Sequence, residues 1–301
     1  EALEDFSVDI HFIAGGTLTN LTFISHILKP FEAVISAETG HINTHETGAI
    51  EATGHKVCPV LTKDGKLTPD LIRPVLDMHE NEHWVDPRLV YVSNPTEVGT
   101  VYTKEELEDL YAFCKRHDLY FYIDGARLAA ALAAKEETHL TFPDLPKLCD
   151  AFYIGGTKVG AMFGEALVLV NENFKERFRF NMKQKGAILA KGWFLGVQFE
   201  ELFKNKLYIE AGAHSIAMMK PIKEAFEKAG IPLLCEAPTN QIFPIFPNAL
   251  ADEINKKYLT TFQCKPDKDH TCLRFCTSWA TNENAVKDFV EDFEEMCNRL
   301  L

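Results

Sequence analysis

Short apolar runs that end on a polar residue alternate with longer amphipathic stretches through the first 170 residues. The apolar runs cover residues 7–14, 33–36, 53–60, 88–93, 120–124, 152–154 and 166–170. Runs of this kind are typical of strands buried on both faces of a parallel sheet. The stretches between them have the length of helical crossovers. The pattern therefore predicts an α/β fold with a mostly parallel sheet whose ligands gather at the carboxyl ends of its strands.

Helical periodicity and two late strands predict how the chain is divided. The predicted helices cover residues 68–82, 103–116, 174–185 and 200–229, and further strands are predicted at residues 240–246 and 271–277. A chain of 301 residues is long for a single core. We therefore predict a large domain over residues 1–207 and a small C-terminal α+β domain over residues 208–301.

Chemically capable or conformationally special residues stand just past several predicted strands: Gly16, His41, Asn94, Asp124 and Lys158. Because the carboxyl ends of parallel strands meet at one edge of a sheet, we expect these residues to converge. A lysine between glycine-rich turns is poorly solvated, and its amine is easier to deprotonate, which suits Schiff-base chemistry. Asp124 needs a cationic partner of its own, and a protonated pyridine nitrogen would serve.

In combination, these motifs resemble the threonine aldolase and β-eliminating lyase branch of the fold-type I pyridoxal phosphate enzymes. The resemblance covers nearly the whole chain and implies pyridoxal 5′-phosphate as the cofactor. It also implies a carbon–carbon lyase that cleaves L-threonine or L-allo-threonine to glycine and an aldehyde by retro-aldol chemistry. A β-elimination lyase or an aminotransferase on the same fold would keep Lys158 and Asp124 and is the alternative.

The resemblance assigns the catalytic and substrate-binding roles. Lys158 would form the Schiff base and shuttle protons, Asp124 would keep the pyridine nitrogen protonated, and His41 would stack on the cofactor ring. Arg127 and Arg274 would bind the carboxylate of the amino acid. An arginine within an apolar strand, as Arg274 is predicted to be, is costly unless a partner offsets its charge.

Further cofactor contacts are expected from two glycine-containing turns and one asparagine. The turn at Gly15, Gly16 and Thr17 precedes a helix whose free amides favour a phosphate. Taken alone, a plain βα turn with a capping threonine explains it better, but a Schiff-base lysine reverses that preference. The resemblance places Thr157 near the phosphate and Asn94 near the phenolic oxygen of the cofactor, although an asparagine before proline is usually turn chemistry.

Retro-aldol cleavage needs a base for the β-hydroxyl, and the sequence departs from the family at this point. Relatives carry a histidine in the loop that matches residues 94–99, which contains none here. His41, His45, Glu97 or a water molecule are the candidates. The glycine pair and Thr157 before the lysine are a second departure.

Charge and cysteine usage exclude several other classes of function. The net charge of −13, from 31 basic and 44 acidic residues, opposes binding to nucleic acid or an anionic membrane. The basic and aromatic stretch at residues 174–185 is therefore better explained as a helix that meets the cofactor phosphate or a partner subunit. His41 and His45 lack the HExxH order of a zinc site. No metal is predicted.

Cellular location and assembly complete the expectations. Eight cysteines without a CxxC pair indicate reduced thiols in the cytoplasm. The resemblance implies a homodimer or homotetramer. It also implies that members of the family carry roughly a few tens of residues before the position of Glu1, a length judged against ordinary domain sizes. In relatives this segment helps to build the active site and the dimer.

Overall fold

The computed structural model describes residue 3 and residues 6–300. The strands of its larger sheet are β1 (Asp9–Ile13), β2 (Glu32–Ala37), β3 (Val57–Val60), β4 (Asp86–Ser93), β5 (Tyr120–Asp124), β6 (Ala151–Gly155) and β7 (Glu165–Leu169). They lie in the order β1-β7-β6-β5-β4-β2-β3. Neighbouring strands from β3 to β6 pair in parallel, whereas β7 is antiparallel to both of its neighbours. The predicted α/β fold with a mostly parallel sheet is confirmed.

Helices cover both faces of the larger sheet. The helices are α1 (Gly16–Ile27), α2 (His41–Thr44), α3 (Pro69–Met78), α4 (Lys104–Arg116), α5 (Leu128–Ala133), α6 (Lys135–Thr138), α7 (Leu145–Leu148), α8 (Phe178–Gln184), α9 (Trp193–Phe203), α10 (Leu207–Lys228), α11 (Asn248–Lys257) and α12 (Glu283–Leu300). Of these, α10, α11 and α12 form a core with the smaller sheet. The side chains of Thr103 and Glu106 form a capping box that starts α4. None of the helices in the described ranges has both the length and the apolar character that a membrane crossing requires.

Alternating residues of the central strands enter two separate cores. Val90 and Phe121 face the core formed with α4 and α9, whereas Tyr91 and Tyr122 face the core formed with α1 and α8. Both cores are fully shielded from solvent at these positions. Burial on both faces explains why the strands read as continuous apolar runs rather than as an alternating pattern.

A smaller sheet follows α10. Its strands are β8 (Gln241–Ile242), β9 (Ile245–Pro247), β10 (Thr261–Cys264) and β11 (His270–Cys276), and β11 pairs antiparallel with the other three. Phe226 of α10 is at the centre of its core, with its ring centroid 4.8 Å from that of Phe293 and 5.2 Å from that of Phe275. The first turn of α10 contributes Tyr208 to the core of the larger sheet. The division into domains at residue 208 stays a prediction.

Two predicted elements are interrupted in the structure. The helix predicted over residues 200–229 is two helices, because Asn205 and Lys206 have φ angles of 52° and 63° between α9 and α10. Asparagine tolerates this left-handed conformation better than most residues. The strand predicted over residues 240–246 is divided into β8 and β9. Pro244, which has no N–H to donate, lies between them.

Three other predicted elements are longer than those in the structure. The helix predicted over residues 68–82 ends at Met78, and the Asn81 side chain accepts the His83 amide in the turn that follows. The strand predicted over residues 53–60 begins only at Val57, after a tight turn. The helix predicted over residues 174–185 begins at Phe178, because the preceding residue has a left-handed backbone.

Candidate active site

A cavity of about 540 Å³ opens at the carboxyl edge of the parallel strands, and four predicted site residues line it. His41 begins α2 just after β2, while Arg127 and Lys158 follow β5 and β6. Arg274 comes from β11 of the smaller sheet. Both sheets therefore contribute side chains to the same cavity. Of the five residues expected to converge, His41 and Lys158 line it, together with the expected substrate-binding residues Arg127 and Arg274.

Three cations, Arg127, Lys158 and Arg274, form one side of the cavity, which we call the cationic wall. None of them forms an ion pair with a carboxylate within residues 6–300. Burial, and then repulsion by Arg127, lower the pKa of Arg274. The Nε atom of Arg274 is buried without a hydrogen-bond partner. Because neighbouring cations without a counter-charge repel one another, such a wall is best satisfied by an anionic ligand.

Lys158 reaches the solvent inside the cavity, yet protein atoms surround most of its side chain. This desolvation, followed by repulsion from Arg127, lowers the pKa of its ammonium. The negative charges of Asp124, Glu165 and Glu97 act in the opposite direction. A lysine whose pKa is lowered has more of the free amine that attacks a carbonyl carbon.

Asp124 lies at the end of β5 and is only 2% exposed. Its Oδ2 accepts hydrogen bonds from the Tyr91 hydroxyl at 2.5 Å and from Asn20 Nδ2 at 3.2 Å, and its Oδ1 accepts one from the Ala126 amide at 3.0 Å. The Asn20 amide also donates to Glu46 Oε1 at 2.7 Å. The carboxylate is therefore held in one orientation from several directions.

The hydrogen bonds continue from Glu46 through His41 to Glu97 and Ser93. His41 Nδ1 lies 2.8 Å from Glu46 Oε1, and the His41 amide donates to Glu97 Oε1 at 3.0 Å. Glu97 also accepts from the Ser93 hydroxyl at 2.6 Å. The Ser93 oxygen lies 3.2 Å from the Tyr91 oxygen, a polar contact without a hydrogen of its own because both hydroxyls donate to carboxylates. We call this set of residues the carboxylate network; it consists of Asn20, His41, Glu46, Tyr91, Ser93, Glu97 and Asp124.

Protonation in the carboxylate network follows from its charges. Burial opposes the charged form of His41, but the hydrogen bond to Glu46 and the charges of Asp124 and Glu97 together raise the pKa of its imidazole. Burial raises the pKa of Glu97, and the charge of Asp124 adds to that effect. The surroundings therefore shift His41 toward its protonated form relative to a free imidazole.

The turn at Gly15–Thr17 leads directly into α1, which begins at Gly16. No side chain caps this helix, and its first turn carries no acidic residue. The amides of the first turn are therefore open to an anion. A Cβ atom at Gly16 would lie 3.1 Å from the Tyr153 hydroxyl, so a side chain there would be crowded. Thr17 is exposed.

Thr157 and Asn94 have partners within the protein. The hydroxyl of Thr157 accepts the Gly164 amide at 3.0 Å. Asn94 Oδ1 accepts the Tyr102 amide at 3.1 Å, whereas its Nδ2 is buried without a partner. Like Asp124 and the turn at Gly15–Thr17, neither residue is among those that line the cavity. Their roles toward a cofactor stay predictions.

Two residues near the cavity were not predicted from the sequence. Glu165, at the start of β7, is 5% exposed and accepts the Gly156 amide at 2.9 Å. Burial raises the pKa of its carboxyl to about 7, against the effects of the Gly156 amide and the charge of Lys158. Gln241 lines the cavity, and its Nε2 is buried without a partner. An acidic residue at the start of an apolar run was the available signal for Glu165.

No group of three or more histidine, cysteine, aspartate or glutamate side chains in the described ranges is arranged to hold a metal ion. His41 and His45, the two histidines that line the cavity, have ring centroids 5.4 Å apart and an interplanar angle of 16°. Their rings are stacked on each other, a geometry unlike that of two imidazoles that converge on one ion.

Comparison with known proteins gives consistent matches. The family model of β-eliminating lyases matches residues 3–246. A low specificity L-threonine aldolase from Pseudomonas sp. (strain NCIMB 10558) is 30% identical over 295 residues, covering 94% of this chain and 82% of the relative. A solved structure of Leishmania major threonine aldolase has a TM-score of 0.94 and 49% identity, covering 97% of this chain and 85% of the other. An aspartate aminotransferase from Thermus thermophilus, 16% identical with a TM-score of 0.70 and covering 95% and 75%, shares the fold.

Proposed function

The chain belongs to the β-eliminating lyase family, and from this membership and the cavity we propose that it cleaves L-threonine or L-allo-threonine to glycine and an aldehyde. Its fold is fold-type I, and its cofactor is pyridoxal 5′-phosphate. The observation that carries the proposal is Lys158, an amine with a lowered pKa that has no ion-pair partner within residues 6–300 and stands in the cavity with the two arginines of the cationic wall, near the carboxylates of Asp124 and Glu97. This is the setting that a Schiff-base lysine requires.

The residues present fit the cofactor. When bound, pyridoxal phosphate supplies an electron sink for the pair that a broken bond leaves on Cα. Lys158 Nζ would hold it covalently, and Asp124, fixed by Tyr91 and Asn20, would hold a proton on the pyridine nitrogen. A fixed carboxylate in a buried network is a strong partner for a cation.

The other cofactor contacts in this proposal use groups that the fold leaves available. The open amides of Gly15, Gly16 and Thr17 would bind the phosphate, with Thr157 nearby. His41 would stack on the ring, oriented by its bond to Glu46. The unpartnered Nδ2 of Asn94 would be free to donate to the phenolic oxygen of the cofactor.

We propose that Arg127 and Arg274 bind the carboxylate of the amino acid. The support is that neither arginine has a carboxylate partner within residues 6–300, and that the buried Nε of Arg274 has no hydrogen-bond partner in the same range. Two guanidinium groups can fix the orientation of a carboxylate and so decide which bond of Cα is broken. Lys158 would then return a proton to Cα to complete glycine.

Exposed apolar side chains support a proposal on how the protein assembles. We propose a homodimer or homotetramer, because Met162, Trp193, Phe194 and Val197 expose between 41% and 77% of their surface on α9 and the neighbouring loop. Exposed apolar groups of this size mark interfaces. Light scattering of the wild-type protein and of Trp193→Asp tests the interface: the variant is expected to dissociate, and an unchanged mass would contradict it.

We also propose a cytoplasmic enzyme, since all eight cysteines are free thiols.

Product analysis tests the proposed reaction. The purified holoenzyme is incubated with L-threonine and, separately, with L-allo-threonine, and the products are separated. Glycine and acetaldehyde in equal amounts are expected. Formation of 2-oxobutyrate and ammonia would establish elimination, and conversion of an added 2-oxo acid to an amino acid would establish transamination. Either result would contradict the proposed cleavage while keeping the cofactor.

A further inference from the structure

The proposed cleavage needs a proton acceptor for the β-hydroxyl, and the structure offers few groups for that task. The loop at residues 94–99 contains no histidine. The groups on the cavity that can accept a proton are the imidazoles of His41 and His45 and the carboxylates of Glu38 and Glu97, together with Lys158. Lys158 is needed at Cα, so the choice lies among the other four.

The contacts of His41 and Glu97 make both poor acceptors. His41 Nδ1 is bound to Glu46, and its surroundings shift the imidazole toward its protonated form. Glu97 Oε1 already accepts hydrogen bonds from the Ser93 hydroxyl and the His41 amide. A carboxylate is in general a weaker base than an imidazole, which also places Glu38 behind a neutral histidine.

The ring of His45 is held in a defined orientation. It stacks on His41, and its Nδ1 lies 2.6 Å from the Thr44 hydroxyl oxygen. The single hydrogen of that hydroxyl has the carbonyl oxygens of Thr39 and Gly40 as acceptors, each at 3.2 Å. The Thr44 oxygen can then accept Nδ1–H of His45, and this tautomer leaves the lone pair of Nε2 as the acceptor of the ring.

The charges around His45 favour its neutral form. Partial burial, and then the positive charges of His41, Arg274, Lys158 and Arg127, lower the pKa of its imidazole. These charges come from four separate elements around the cavity. The pKa values of the two stacked imidazoles are thus shifted in opposite directions, and two neighbouring groups whose pKa values are pushed apart are suited to opposite proton-transfer roles.

We propose that His45 is the catalytic base that removes the proton of the β-hydroxyl, an inference that rests on the proposed function. The O–H proton moves to Nε2 of His45, and the O–H electron pair becomes the second C–O bond of the aldehyde. The Cα–Cβ bond breaks, and bound pyridoxal phosphate would supply the electron sink for its electron pair. Cα then takes up a proton to give glycine, and His45 releases its proton to water.

The test separates the hydroxyl step from the rest of the chemistry. Holoenzymes of His45→Asn and His45→Gln are compared with wild type in threonine cleavage, in exchange of the glycine α-proton in D₂O, and in visible absorbance of the bound cofactor. Exchange breaks only a C–H bond and needs no base for a hydroxyl. We expect kcat for cleavage to fall about 10²- to 10⁴-fold, while exchange and absorbance change less than about twofold. The decrease of kcat/KM at low pH that protonation of His45 causes should also disappear.

Matched variants decide between the remaining explanations. Glu38→Gln removes the other cavity carboxylate, and His83→Asn changes an exposed histidine outside the cavity. Both are expected to cleave threonine at nearly the wild-type rate. Wild-type cleavage by the His45 variants, a large loss in Glu38→Gln, or an equal loss of exchange and cleavage in the His45 variants would each overturn the proposal. Failure of the proposed function is seen separately, as wild-type protein that forms no glycine.

Discussion

The carboxylate network and the cationic wall differ in how far their charged groups are paired. In the carboxylate network, Asp124 accepts three hydrogen bonds and Glu46 and Glu97 are bound to His41. In the cationic wall, Arg127, Lys158 and Arg274 have no carboxylate partner in the part of the chain that the structure describes.

This difference separates orientation from binding. The hydrogen bonds of the network hold Asp124 and His41 in place before any ligand arrives, although Glu46 Oε2 is buried without a partner among the described residues. The wall is repulsive without a ligand, because Arg127 lowers the pKa of both Lys158 and Arg274. Substitutions in the network should therefore affect mainly kcat, whereas substitutions of the wall arginines should affect mainly KM.

The largest effect should come from Asp124→Asn. Loss of the carboxylate removes the charge that keeps the pyridine nitrogen protonated, and breaking one partner of a buried charged pair costs about 4 kcal/mol, or about 10³-fold in kcat. Steady-state kinetics with saturating cofactor measures this. Asp109→Asn, an exposed change on α4, is the control. A loss below tenfold would remove Asp124 from the proposed role.

Arg274→Gln should have a smaller effect of a different kind. The variant removes one charge of the cationic wall, and losing a charged contact to the substrate carboxylate costs about 3 kcal/mol, or about 10²-fold in kcat/KM. The loss should appear mainly as a raised KM for threonine. Exposed Arg116→Gln should leave KM unchanged. If Arg274→Gln lowered kcat at constant KM, the distinction between wall and network would be wrong.

Glu165→Gln should change how stability depends on pH. The pKa of this buried carboxyl is raised from 4.5 to about 7, so the folded protein binds an extra proton between these values. The free energy of unfolding of the wild type should therefore fall as pH rises from about 4.5 to about 7. The free energy of unfolding of the variant should not show this decrease. Lys158 and Asp124 face the same carboxyl, and the buried phenols of Tyr153 and Tyr208 are close to it.

Denaturant unfolding of the apoprotein at pH 5 and pH 8 measures this difference. We expect Glu165→Gln to gain about 2 kcal/mol relative to wild type on going to the higher pH. The exposed substitution Glu80→Gln should give the same pH dependence as wild type. An identical dependence for Glu165→Gln would contradict the raised pKa.

The smallest effect should come from Tyr91→Phe. It removes one of the three hydrogen bonds to Asp124 and opens the carboxylate network at a single point. A hydrogen bond to a charged group contributes about 1.5 kcal/mol, so kcat should fall about tenfold with KM unchanged. Buried Tyr102→Phe, which removes a hydroxyl bonded to the Leu67 amide outside the network, is the matched control. Equal losses in both variants would show a general packing effect.

The sequence predicts the strand ends but not the side-chain pairing between them. Asp124 and Lys158 are recognisable because each ends an apolar run, and parallel strands bring such ends together. The bond from Asn20 to Asp124 joins residues 104 positions apart and depends on how α1 packs on the sheet. No local pattern encodes a contact of that kind.

Two further features cannot be predicted from the sequence, for physical reasons. Glu165 lies near Lys158 because β7 runs antiparallel to β6, so the start of one strand meets the end of the other. The amphipathic pattern of residues 200–229 continues through Asn205, and only its backbone conformation separates α9 from α10. Periodicity reports which face is buried and does not report a break of this kind.

The most direct test of the account locates the covalent attachment of the cofactor. The protein is saturated with pyridoxal phosphate, reduced with borohydride, digested, and its peptides are identified by mass spectrometry. We predict one reduced cofactor per chain, on Lys158, with loss of the label in Lys158→Ala and none lost in exposed Lys287→Ala. A label on another lysine, or no label on protein that has been shown to be folded, would contradict the assignment of this cavity as the active site.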